Sequence, residues 1–103
     1  MDIDKVSNAL GSPIRYKILQ LITTKGNCCS DKGSSFLKPC EGLCVFDLMK
    51  DLGLQQSKVS YHLKELGDAG LITEKDQGQF HFYCINKAAI RRYIEHLNKE
   101  FNL

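Results

Sequence analysis

The sequence predicts a mainly α-helical domain carrying one small β-hairpin. Three observations lead there. Apolar residues recur at helical spacing in five segments, two β-prone stretches flank a single Asp/Gln/Gly turn, and Gly, Ser and Pro punctuate the joins. At 103 residues, 43% hydrophobic and 25% charged, the chain suits one domain, residues 1–103, with one modest core.

The elements follow in order. Ile3, Val6 and Leu10 mark a short amphipathic helix over residues 2–10. Gly11-Ser12-Pro13 stops it and starts the next, with Ser12 as N-cap and Pro13 at the first helical position. Ile14, Ile18, Leu21 and Ile22 then form one face as far as about Lys25. Val45, Leu48, Met49 and Leu52 describe a third helix over 44–52, closed by Gly53. A fourth runs from Gln56 to Ala69 with Val59, Leu63 and Leu66 inward and Gly70 at its C-terminal end. Ile72–Lys75 and Gln79–Ile85 are strands around the turn Asp76-Gln77-Gly78. The last helix, Asn86 to about Phe101, carries Ile90, Ile94, Leu97 and Phe101 in a heptad-like stripe.

Short helix, tight turn and second helix make a helix-turn-helix, and a hairpin directly after it is a wing. The fold class is thus a winged helix-turn-helix. Its first and last helices each keep an apolar face that so small a core leaves uncovered, so the expected state is a homodimer joined through the N- and C-terminal helices.

The outward face of the fourth helix carries Gln56, Ser57, Lys58, Ser60, Tyr61, His62 and Lys64. A glutamine amide can pair bidentately with adenine in the major groove, while hydroxyls and lysines suit phosphates. Lys75, Gln77 and Gln79 on the wing offer a second contact along the backbone. The expected partner is double-stranded operator DNA. Net charge is only +2, and it sits at the two ends: residues 1–27 carry +2, 28–54 −1, 55–85 −1 and 86–103 +2. Charge alone does not point to nucleic acid, although a dimer doubles every phosphate contact.

Residues 26–43 differ in composition. They form a polar, cysteine-rich loop, long for so small a domain, and four of the five cysteines, Cys28, Cys29, Cys40 and Cys44, lie in it or at its far edge. The start of the chain lacks the basic-then-apolar order of a secretion signal and no apolar run approaches the roughly 20 residues of a membrane span, so the expected location is the cytoplasm, with no membrane partner. There an odd number of cysteines reads as soft-ion ligands or a redox switch, not as a disulfide framework. Cys84, on the second strand, reads as a packing residue. No nucleophile pair emerges, since Cys84 and His81 on one strand point to opposite faces; the chain is not expected to be an enzyme.

Ser57-Lys58-Val59-Ser60-Tyr61-His62-Leu63-Lys64-Glu65-Leu66, followed by Ala69-Gly70-Leu71-Ile72, resembles the recognition helix of the ArsR/SmtB family of metal-responsive repressors. Leu10 to Leu19 resembles that family's LGDPTRLRIL segment, and Leu43-Cys44-Val45-Phe46-Asp47-Leu48 its LCVCDL metal-binding helix. The resemblance runs from residue 3 to about 101. It implies a winged-helix homodimer of the arsenic-repressor branch that occupies an operator palindrome and leaves when an effector binds. Cys44 matches the first thiolate of the family's pair, and Phe46 stands where the second would be.

The missing thiolates are then sought among Cys40, four residues earlier and one turn away if the third helix extends back, and Cys28 or Cys29 across the loop. Arsenite or antimonite takes three thiolates, a set this cluster can supply; cadmium, lead and zinc are the alternatives, and a Cys28 or Cys29 pairing with Cys40 or Cys44 under oxidation is another. His81 and His96 are isolated, and the last helix lacks the ligand pattern of the zinc-sensing relatives.

Overall fold

The computed structural model describes residues 2–25, 44–77 and 80–103. Five helices and one antiparallel hairpin follow in the order α1 (Ile3–Leu10), α2 (Pro13–Lys25), α3 (Val45–Leu52), α4 (Gln56–Asp68), β1 (Ile72–Gln77), β2 (Phe80–Ile85) and α5 (Lys87–Glu100). Among these residues no helix is long and apolar enough to cross a membrane.

The helix ends have local causes. Asp2 caps α1, its carboxylate accepting from the Lys5 N–H at 3.2 Å, and Ser12 Oγ accepts from the Arg15 N–H at 3.4 Å at the start of α2. The third helix begins one residue later than its apolar pattern predicts. Cys44 is its N-cap, in an extended conformation (φ −95°, ψ 170°), so the helix does not run back through it. The one-turn relationship expected between Cys40 and Cys44 falls on residues 40–43, outside those described. Gly53 ends α3 with φ 67°, a left-handed value at which a side chain is strained. Gly70 (φ 79°) closes α4: its N–H reaches the Gly67 carbonyl at 2.9 Å and the Leu71 N–H reaches Leu66 at 3.0 Å, the two bonds of a Schellman motif.

One apolar core joins the elements. Val6 of α1, Ile18 and Ile22 of α2, Leu48 of α3, Val59 and Leu66 of α4 and Leu71 are all fully buried. Each such side chain contributes about 1.5–3 kcal/mol by leaving water. Leu63, Ile72, Cys84 and Ala89 extend this core into the hairpin and α5. Cys84 thus has the packing place expected of it.

The hairpin pairs Ile72 with Ile85 and ends at Gln77 with Phe80, so β1 is two residues longer than its composition suggests. Asn86 ties its base. The side-chain Nδ2 donates to the Gly70 carbonyl at 2.9 Å, the backbone N–H donates to Leu71 at 2.8 Å, and Oδ1 accepts from the Ala89 N–H at 3.2 Å. One residue thereby fixes the end of α4, the foot of the wing and the start of α5.

Candidate nucleic-acid interface and thiol site

The geometry of the reading helix is set at its N-terminus. The Gly53 and Leu54 N–H groups both reach the Met49 carbonyl, at 2.8 and 3.3 Å, and Gln55 caps α4 in an extended conformation. Three residues, Gly53 to Gln55, thus separate two packed helices. Val59, Leu63 and Leu66 face the core at spacings of four and three, which turns Gln56, Ser57, Lys58, Ser60, Tyr61 and Lys64 outward. All six are exposed, Tyr61 to 54%. Lys64 is paired with Asp68 one turn on, at 3.2 Å, both well exposed. Such a pair is worth at most a few tenths of a kcal/mol and yields readily to a phosphate.

His62 departs from the outward face. It is 8% exposed, and its Nδ1 accepts a hydrogen bond from the Nε of Arg15 at 3.2 Å. Burial holds its proton affinity below the usual histidine value, and the Arg15 and Lys58 charges lower it further, with Glu65 opposing. The reason for the difference is Arg15. It lies on the inner side of α2, in register with Ile18, Leu19 and Ile22, and is itself buried at 8%. A buried guanidinium needs partners, and Arg15 finds them in His62 on α4 and the Asn8 carbonyl on α1. Its position in the apolar stripe of α2 was the available signal.

On the wing, Lys75 is exposed and sits opposite Phe82. Of Gln77 the backbone pairing with Phe80 is described, and Gln79 lies outside the described residues. Glu74 and His81 form a cross-strand pair at 2.8 Å with both side chains about half exposed.

The thiol side of the molecule is described at one residue. Cys44 is half-buried, and the Asp47 carboxylate oxygen Oδ2 accepts from its Sγ at 3.3 Å and from its N–H at 3.4 Å. This closes a capping box at the start of α3. Cys28, Cys29 and Cys40 lie outside the described residues. Among the described residues no three His, Cys, Asp or Glu side chains come together as an ion site. Cys44 fits the role of one soft donor; it does not complete a site. Phe46, next but one, is 67% exposed.

A short helix, a three-residue turn, an outward-facing polar helix and a following hairpin define a winged helix-turn-helix, a class of DNA-binding regulators. Residues 36–74 match the family described as bacterial regulatory protein, arsR family. Over that stretch, the helix-turn-helix of this chain is similar to those of the arsR family. The chain is 36% identical over 62 residues to the arsenical resistance operon repressor of Staphylococcus aureus, covering 60% of this chain and 60% of the repressor's length.

Solved structures share the whole fold. An ArsR-like transcriptional regulator from Rhodococcus sp. RHA1 superposes with a TM-score of 0.73 at 18% identity, over 97% of this chain and 79% of its own. The homodimeric winged helix-turn-helix DNA-binding domain of a possible ArsR-family regulator from Mycobacterium bovis gives 0.67 at 20% identity, over 94% and 82%. These proteins are transcriptional regulators by name.

Proposed function

We propose that the chain is a cytoplasmic transcriptional repressor that binds operator DNA as a homodimer and is released when trivalent arsenic or antimony is captured by cysteine thiolates. The observation that carries the DNA half is the outward face of α4, where Gln56, Ser57, Lys58, Ser60, Tyr61 and Lys64 stand free of the core beside an exposed wing lysine, Lys75. Gln56 and Ser57, at the helix start, suit base edges; Lys58, Lys64 and Lys75 suit phosphates. Gln77 and Gln79 belong to the proposed wing contact. His62 serves from behind the surface.

Dimerisation is supported at the far end of the molecule. Ile94, Phe101 and Leu103 in and after α5 are 51%, 66% and 86% exposed. Three large apolar groups in one terminal segment invite a two-fold partner. Pairing also doubles the phosphate contacts that a net charge of +2 leaves sparse.

The effector half rests on Cys44 at the start of α3 and on the arsenical resistance repressors among the relatives. The proposed ligand set is Cys44 and Cys40 with Cys28 or Cys29. A bound trivalent metalloid supplies a three-coordinate centre for thiolates. A thiolate at Cys44 has no proton to donate, so its link to the Asp47 carboxylate is lost and the N-cap of α3 loosens. α3 packs on α4 and is joined to it by only three residues, so displacement at its start reaches the reading helix. A coupling of about 1–3 kcal/mol is typical of such linkage, and two protomers acting together make a usable switch. The test is a nuclease footprint on DNA upstream of the protein's own gene, with and without arsenite under reducing conditions. Protection that disappears on adding arsenite supports the reading; protection that persists removes the sensor role, and no protection removes the repressor role.

A further inference from the structure

Arg15 joins three helices at one point. Its Nε donates to His62 Nδ1 on α4 at 3.2 Å, its Nη1 donates to the Asn8 carbonyl on α1 at 3.3 Å, and its guanidinium lies 5.7 Å from the centre of the Tyr61 ring. Tyr61 is also packed edge-on to His62, with ring centres 5.2 Å apart at 61°. So the large exposed side chain of the reading face, Tyr61, is seated on a cation supplied from beneath by α2.

We propose that Arg15 is a positioning residue for DNA reading: clamped between α1 and α4 with neutral His62 as its acceptor, it seats Tyr61 against the duplex. The inference rests on the DNA-binding reading above. It makes His62 a latch partner behind the surface, in contrast to a phosphate contact on it. The two roles have opposite signs with pH. A latch acceptor must keep Nδ1 unprotonated, because an imidazolium has no lone pair for the Arg15 Nε–H and sets one cation against another. A phosphate contact, by contrast, binds more tightly when it becomes charged. The charged groups acting on His62 are Arg15 from α2 and Lys58 and Glu65 from its own helix; α1 supplies the Asn8 carbonyl, which holds Arg15 and not His62.

The experiment has two arms on the full chain. In the first, without DNA, nitrogen NMR follows the His62 ring through a pH titration. The expected result is an unprotonated Nδ1 at neutral pH and a titration that moves upward in Arg15→Gln; a ring protonated on Nδ1 at neutral pH, or no response to Arg15→Gln, overturns the latch. In the second, affinity for a duplex from upstream of the protein's own gene is measured from pH 7.5 to 5.5 in wild type, His62→Gln and Arg15→Lys.

Wild-type affinity should fall several-fold on acidification, as His62 takes up a proton and the Arg15 bond is lost. His62→Gln keeps an acceptor oxygen without a titrating nitrogen and should flatten that fall. Arg15→Lys keeps the charge but lacks the planar fork, so it should bind more weakly at neutral pH. Affinity that rises on acidification, or superimposable profiles for wild type and His62→Gln, overturns the proposal. Should Arg15→Lys not fold, His62→Gln and the first arm decide alone. Absence of binding at every pH with the NMR latch intact sinks the DNA-binding reading and the coupling built on it; binding with the wrong pH sign sinks the coupling only.

Discussion

Cys44 Sγ lies 3.3 Å from the Asp47 carboxylate, and the same oxygen accepts from the Cys44 N–H at 3.4 Å. A residue proposed as effector ligand is thus also the N-cap of the helix that leads into the reading helix. Capping and capture compete for one sulfur. That competition gives the proposed release its structural starting point.

Serine is a better N-cap than cysteine, because its oxygen accepts more strongly from the first-turn N–H groups. Cys44→Ser should therefore leave operator binding intact, raise stability by roughly 0.5 kcal/mol and abolish release by arsenite. A denaturant melt and a gel-shift titration read the two effects separately.

Asp47→Ala removes the carboxylate that holds both Cys44 atoms. Loss of such a cap costs about 1 kcal/mol. The variant should melt earlier in urea and show weakened operator affinity even without effector, since the α3 start is then already loose.

The end of the reading helix depends on Gly70. A Cβ there meets nothing within 4 Å, so the cost of Gly70→Ala is backbone alone, at φ 79°. About 1 kcal/mol is expected. Leu48→Ala, by contrast, opens a cavity between α3 and the core, where Leu48 is fully buried, and should cost about 2–5 kcal/mol. Chemical denaturation of the two variants checks the order.

His62 also predicts an acid limb of stability. Its proton affinity is lowered in the fold, by burial first and then by Arg15. The unfolded chain then takes up the proton near pH 6.5 and the folded chain only at lower pH, so the unfolded state binds more protons in between. The contribution is complete above pH 6.5 and declines as pH falls below it. Urea midpoints at pH 7.5 and 5.5 should differ more in wild type than in His62→Gln.

Much of this was legible in the residues. Val59, Leu63 and Leu66 marked the inward face of α4, and Gly53 and Gly70 marked the ends of α3 and α4, because glycine adopts φ near +70° without strain. His62 was misplaced because helical spacing assigns a side chain to a face by its type, and the partner that draws it inward is 47 residues away. Cys44 as an N-cap was hidden by cysteine's rarity in that role. Asn86 stood at the start of a periodic segment, but its bonds across to Gly70 and Leu71 depend on the folded path. The ligand set beyond Cys44 falls on residues outside those described.

On the proposed mechanism, capture of Cys44 weakens the hold of α4 on DNA. Its most direct test is an anaerobic arsenite titration of the fully reduced protein on a fluorescent duplex taken from upstream of its own gene. Release is expected at about one arsenite per protomer, and none from Cys44→Ser. Equal affinity of loaded and empty protein for that duplex, or release of Cys44→Ser at the wild-type dose, would contradict it.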